Sequence, residues 1–103
     1  MTTKTLISAA TATTTSRAFS FDDSNQATFQ AYGTTSSGSG AATVVIEAGN
    51  DPSRFVTVGT ISLTLGTSET NDGFAMDASW AFVRAKITAI SGTNASVTVT
   101  MAT

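Results

Sequence analysis

From Ala95 to Met101, the residues Ala95, Val97, Val99 and Met101 alternate with Ser96, Thr98 and Thr100. A two-residue period separates apolar from polar side chains only on a pleated strand, where successive Cβ atoms point to opposite faces. The same alternation recurs upstream. Ala81, Val83, Ala85, Ile87 and Ala89 interleave with Trp80, Phe82, Arg84, Lys86 and Thr88, and Ala27, Phe29 and Ala31 interleave with Thr28, Gln30 and Tyr32. No segment carries the 3.6-residue apolar stripe of an amphipathic helix. The polar half of the pattern is made of hydroxyls: 21 Thr and 13 Ser occupy 34 of the 103 positions. Thr is β-branched and suits a pleated, half-buried surface, so the chain reads as all-β.

The remaining composition removes whole classes of chemistry. Cysteine and histidine are both absent, which excludes disulfides, thiolate or imidazole metal sites, Cys nucleophiles and Ser-His-Asp catalysis. Charged residues are 12% of the chain, about half the usual share of about 25%, and the net charge is −2 with a pI near 4.6. Without a basic stripe, nucleic acid is not an expected partner. No apolar run approaches the roughly 20 residues of a spanning helix, so a membrane is not expected either. Residues 1–12 hold Lys4 and an Ala10-Thr11-Ala12 that imitates a signal-peptidase site. Leu6 and Ile7 are the only strong hydrophobes between them, too few for an export signal, and the segment is read as mature chain.

Turn residues divide the chain into strands. Thr5–Ala9 is a short strand, and the Thr/Ala tract Ala10–Ser16 has no large side chain to anchor it. Residues 1–16 are therefore expected as a flexible N-terminal arm or an edge strand, and 17–103 as a single β-sandwich domain. Arg17, Phe19 and Phe21 share one face of the next strand, and Asp22-Asp23-Ser24-Asn25 turns the chain. After the strand Gln26–Gly33, the Ser/Thr/Gly run Thr34–Gly40 reads as a flexible loop. Ala41–Ala48 is apolar enough on both faces to lie inside a sheet. Gly49–Ser53, with the single proline, is a turn. In Phe55–Leu65 the apolar positions are Val56 and Val58 before Gly59 but Ile61, Leu63 and Leu65 after it, the signature of a β-bulge. Gly66–Gly73 is a loop, Phe74–Met76 a short apolar step and Asp77–Ser79 a polar break. Ser91–Asn94 then joins the last two long strands as an antiparallel hairpin. Seven or eight strands at this spacing predict an antiparallel β-sandwich of jelly-roll type, with an open barrel as the alternative.

Few residue groups suggest chemistry. Asp22 with Asp23, and Asn71-Asp72-Gly73, could offer oxygens to calcium, but both read better as turns, and no metal or cofactor is expected. The acids are scattered, and nothing favours any pair for glycoside hydrolysis. Glu47 is expected to point outward at an edge or to pair with Arg84 or Lys86 across a sheet. Gly38–Thr43 imitates a dinucleotide-binding loop but precedes a strand instead of a helix. Asn94-Ala95-Ser96 fits a glycosylation sequon, taken as chance. The most informative feature is the shared face of Trp80, Phe82, Arg84 and Lys86. Two aromatics beside two cations suit a neighbouring subunit or a sugar ring, or simply cover one end of the sandwich.

Three runs carry a family resemblance: Val45–Pro52, Phe55–Ile61 and Trp80–Thr93. A strand with an Asn-Asp turn, a strand with Val58-Gly59-Thr60, and a Trp80-x-x-Val83-Arg84 strand before a Gly-containing hairpin together resemble small virion proteins of tailed bacteriophages. The same order also resembles the second half of discoidin-like carbohydrate-binding sandwiches. The phage resemblance implies a non-enzymatic virion part, foremost a capsid decoration (cement) protein made in the host cytoplasm. Its partners would be its own copies, as a homotrimer or other homo-oligomer, and the major capsid protein. A tail tube or baseplate component is an alternative under the same resemblance, and a carbohydrate- or receptor-binding module is the alternative under the second.

Overall fold

The computed structural model describes residues 3–20, 26–76 and 80–103. Its strands are β1 (Thr3–Ala10), β2 (Thr14–Thr15), β3 (Phe19–Ser20), β4 (Ala27–Thr34), β5 (Ser37–Asp51), β6 (Arg54–Leu65), β7 (Thr70–Met76), β8 (Phe82–Thr93) and β9 (Ser96–Ala102). Among the described residues there is no helix. One sheet runs β1-β9-β4-β7, the other β2-β8-β5-β6, with β3 also on β8. Thr15 stands opposite Lys86 and Phe19 opposite Val83, so β2 and β3 are two pieces of one interrupted edge strand.

With those two pieces counted as one, the eight strands pair first with last, second with seventh, third with sixth and fourth with fifth. That is a long hairpin of hairpins rolled over itself, the jelly roll expected from the strand count. Every pairing is antiparallel.

Alternation places the core between the sheets. Leu6, Ile7, Phe29, Val97, Val99 and Met101 from one sheet meet Val44, Ile46, Ile61, Leu63, Leu65, Val83 and Ile87 from the other. β5, apolar on both faces, is central between β8 and β6, as its composition requires. The bulge in β6 is where the sequence indicates it: Ile46 is opposite Gly59 but Glu47 is opposite Thr57, leaving Val58 as the extra residue. Gly59 is needed for packing as well. A Cβ there would sit 2.2 Å from the Phe74 ring, which in turn stacks at 5.4 Å on Phe29.

Several expectations are corrected. β8 and β9 do not form a hairpin: they lie in different sheets, and the chain crosses between them at Asn94, with φ 51°, and buried Ala95. The Thr34–Gly40 run is not a loose loop. Thr35 is buried, its Oγ1 donates to the Gly38 carbonyl (2.8 Å), its N–H donates to the Gly66 carbonyl (2.9 Å), and the Ser36 N–H donates to the Thr93 carbonyl (2.9 Å). Only Thr35 and Ser36 separate β4's last residue from β5's first, and Gly38 supplies a positive φ of 68°. Asn71-Asp72-Gly73 lies in β7, paired with β4, and not in a turn. A register shift between Thr43 and Val44 turns Ala89 outward, so the inward set of β8 passes from Ile87 to Ile90, which stands opposite Ala42 and packs against the core. Phe21, the Asp22–Asn25 turn and the Asp77–Ser79 break lie outside the described residues.

The N-terminal segment forms an edge. β1 pairs with β9 and buries Leu6 and Ile7. The tract behind it is held by a reciprocal contact, in which the Ser16 N–H donates to the Ala85 carbonyl (2.8 Å) and the Ala85 N–H donates to Ser16 Oγ (2.9 Å).

Candidate functional site

The outer face of the β2-β8-β5-β6 sheet collects most of the side chains singled out by the sequence. In β8, Phe82, Arg84 and Lys86 alternate with buried Val83, Ala85 and Ile87 and so point outward, each half-buried. Register places Glu47 of β5 opposite Arg84, and Val45 opposite Lys86. On the far side of β5, Glu47 is opposite Thr57 and Val45 opposite Thr60 of β6.

Arg84 is the centre of this face. Its Nε donates to Glu47 Oε1 at 2.8 Å, and its guanidinium carbon lies 4.1 Å from the centroid of the Phe55 ring. The pair is shielded, with side-chain exposures of 30% for Arg84 and 15% for Glu47. A guanidinium stacked on a ring and paired with a carboxylate is oriented on two sides, and its charge is matched within the chain. The expected pairing of Glu47 is thus met by Arg84, although β5 is a central strand and not an edge.

Trp80 is placed differently from the expectation. β8 begins at Phe82, and Trp80 lies before it, half-buried and packed against the hydrophobic core. The shared face therefore holds Phe82, Arg84 and Lys86, with Trp80 closing the interior behind it. Phe55 belongs to this face and was not singled out by sequence. Its alternation with Val56 was readable, but its proximity to Arg84 depends on the order β8-β5-β6, which no local pattern encodes.

The surroundings are hydroxyl-rich and neutral. Thr57, Thr60, Ser62 and Thr64 of β6 are exposed. A shallow depression of about 440 Å³ beside β1 is lined by Leu6, Ile7, Ser8 and the 10–14 tract; it contains no acid, base or aromatic ring. Among the described residues there is no group of three or more Asp or Glu able to hold a metal ion. A second cation, Arg17, stacks over the Phe19 ring at 4.3 Å.

Fold and face together define a small jelly-roll β-sandwich with a hydroxyl-rich exterior, whose central cation Arg84 is compensated within the chain by Glu47. No family model matches this chain, and no curated protein matches it. A solved structure, the crystal structure of PBSX exported protein XepA, is similar over 97% of this chain with a TM-score of 0.55 and 11% identity. This chain spans 36% of that protein's length, and at this identity the likeness is one of fold.

Proposed function

We propose that this protein is a non-enzymatic structural protein of a bacteriophage particle, acting as a capsid decoration protein that buries its surface against its own copies and the major capsid protein. The observation that carries the reading is the exterior of the sandwich. Its exposed strand positions are chiefly Thr and Ser, and its central cation is already paired with Glu47. Such a surface enters protein contacts with few charges to desolvate. Two supports are analogies. Jelly rolls recur in viral shell domains, and also in lectins; and the protein similar in fold is phage-related.

Within this reading Phe82, Arg84 and Lys86, joined by Phe55, are the contact residues. Trp80 supports them from the core side. Phe82→Ala is expected to weaken assembly while leaving the unfolding midpoint nearly unchanged, whereas Trp80→Ala lowers that midpoint.

The decisive measurement is the copy number of this chain relative to the major shell protein in purified particles, by quantitative mass spectrometry. A ratio near unity is expected for a shell-wide decoration protein. A ratio of a few per cent moves the chain to the tail or a vertex. Absence from particles overturns the virion reading, and a positive glycan array would then place the chain among sugar-binding jelly rolls.

A further inference from the structure

We propose that β6 is a self-pairing edge: it joins β6 of a second copy of this chain, antiparallel about a two-fold axis at Ser62, to make one continuous sheet across the two molecules. Among the described residues the sandwich has four strand edges, and three of them are guarded in the ways that natural sheets guard edges. β1 carries Lys4 and two register breaks, with Ala9 at φ 46°. In the sheet of β6 itself, the far edge is the interrupted pair β2 and β3, with exposed Arg17 between them. β7 carries Asp72, whose carboxylate accepts the Gly73 N–H at 2.8 Å.

β6 is different beyond its bulge. From Thr60 to Leu65 its register with β5 is unbroken, and residues 55–68 include no charged residue and no proline. The Thr64 carbonyl points away from β5, where one of its two lone pairs accepts the Thr70 hydroxyl at 2.9 Å and the other is left for a neighbouring strand. Backbone groups alternate sides along a strand, so those of Thr60 and Ser62 point outward too. Their side chains are exposed.

The run is its own complement. Antiparallel pairing about Ser62 sets Ser62 against Ser62, Thr60 against Thr64 and Ile61 against Leu63 of the other copy. Hydroxyls face hydroxyls on the outer face and aliphatic groups face aliphatic groups on the inner one, both favourable cross-strand pairs. Because every other edge is guarded, the contact closes at two copies instead of growing into a filament. The inference is independent of the virion reading, since it concerns the purified chain alone.

The test exploits the absence of cysteine. Ser62→Cys introduces a sole thiol, and directly opposed residues of an antiparallel pair lie about 5.5 Å apart at Cα, within disulfide reach. The unmodified chain is expected to sediment as a dimer at high micromolar concentration. Ser62→Cys should form a covalent dimer under mild oxidation, much faster than Thr14→Cys on the opposite edge. Ser62→Lys, which sets two ammonium groups face to face, should raise the dimer dissociation constant up to about fivefold with an unchanged circular dichroism spectrum. A chain that sediments as a monomer at that concentration, or a Ser62→Cys variant that cross-links no faster than Thr14→Cys, overturns the inference.

Discussion

Arg84 and Arg54 each pair with a carboxylate, and burial separates their roles. The Arg54–Asp51 pair is 3.0 Å long but exposed, with side-chain accessibilities of 84% and 41%, and exposed pairs contribute little. Arg84 shares a 2.8 Å contact with a Glu47 side chain only 15% exposed. Arg84→Ala leaves that carboxylate unpaired and Phe55 unstacked. Its expected cost is about 1–2 kcal/mol, between the values for exposed and fully buried pairs. Urea unfolding checks this, and a double-mutant cycle with Glu47→Ala isolates the coupling; a cost as small as that of Arg54→Ala would show that shielding adds nothing.

Asp51 supplies the pH dependence at this scale. The Ser53 hydroxyl, then the Ser53 N–H and the Arg54 guanidinium, hydrogen-bond its carboxylate and hold its pKa below the ordinary 3.8. A group whose folded pKa is depressed contributes stability that is present above the unfolded value and lost as pH falls through the folded one. The melting temperature is therefore expected to fall as pH drops below 3.8, and Asp51→Asn should remove this part of the acid sensitivity. A melting profile between neutral and acidic pH that is identical for the two proteins would refute the assignment. The turn holding Asp51 was legible in Asn50-Asp51-Pro52; its hydrogen bonds follow from Asx geometry.

Among the elements, β6 shows how a local pattern carries both a backbone irregularity and its packing reason. The switch from Val56 and Val58 to Ile61, Leu63 and Leu65 is visible without coordinates, and it coincides with the observed bulge. What the pattern omits is the Phe74 ring occupying the space over Gly59. Gly59→Ala is expected to destabilise the fold by about 1–3 kcal/mol through overpacking, and adding Phe74→Leu should recover part of that loss in chemical denaturation. Equal stability of Gly59→Ala and the unmodified chain would mean that the ring moves freely.

The segment Thr34–Gly40 teaches the opposite lesson. Its composition is that of a linker, yet Thr35 and Ser36 hydrogen-bond to Gly38, Gly66 and Thr93. Asn94 Nδ2 also donates to Ser36 Oγ at 3.1 Å. The crossings from β4 to β5, β6 to β7 and β8 to β9 are thereby tied together at one end of the sandwich. Small polar residues provide the donors and acceptors for such ties, and only the arrival of three distant segments gives them partners.

For the whole molecule, the jelly roll pairs strands that are far apart in sequence: Lys4 stands opposite Met101, and Thr15 opposite Lys86. Closing such separations before the contacts form makes folding slow. Refolding followed by Trp80 fluorescence is expected on the millisecond-to-second scale typical of sandwiches. A microsecond rate would contradict a transition state built from these long-range pairings.

The sequence by itself determined the all-β class, the inward sets of β4, β8 and β9 up to Ile87, the central position of β5 and the bulge at Gly59. These follow from side-chain alternation and turn chemistry, which act over a few residues. Tertiary structure decided the partners. An apolar face on β8 and another on β9 are satisfied equally by lying side by side or by packing face to face, so periodicity could not distinguish the expected hairpin from the observed crossing between sheets. The same holds for Trp80, whose alternation with Phe82 suggested a common face, and for Phe55, brought to Arg84 by strand order. Alternation specifies which face is buried; only the competition among all strands for one shared core selects what each face is buried against.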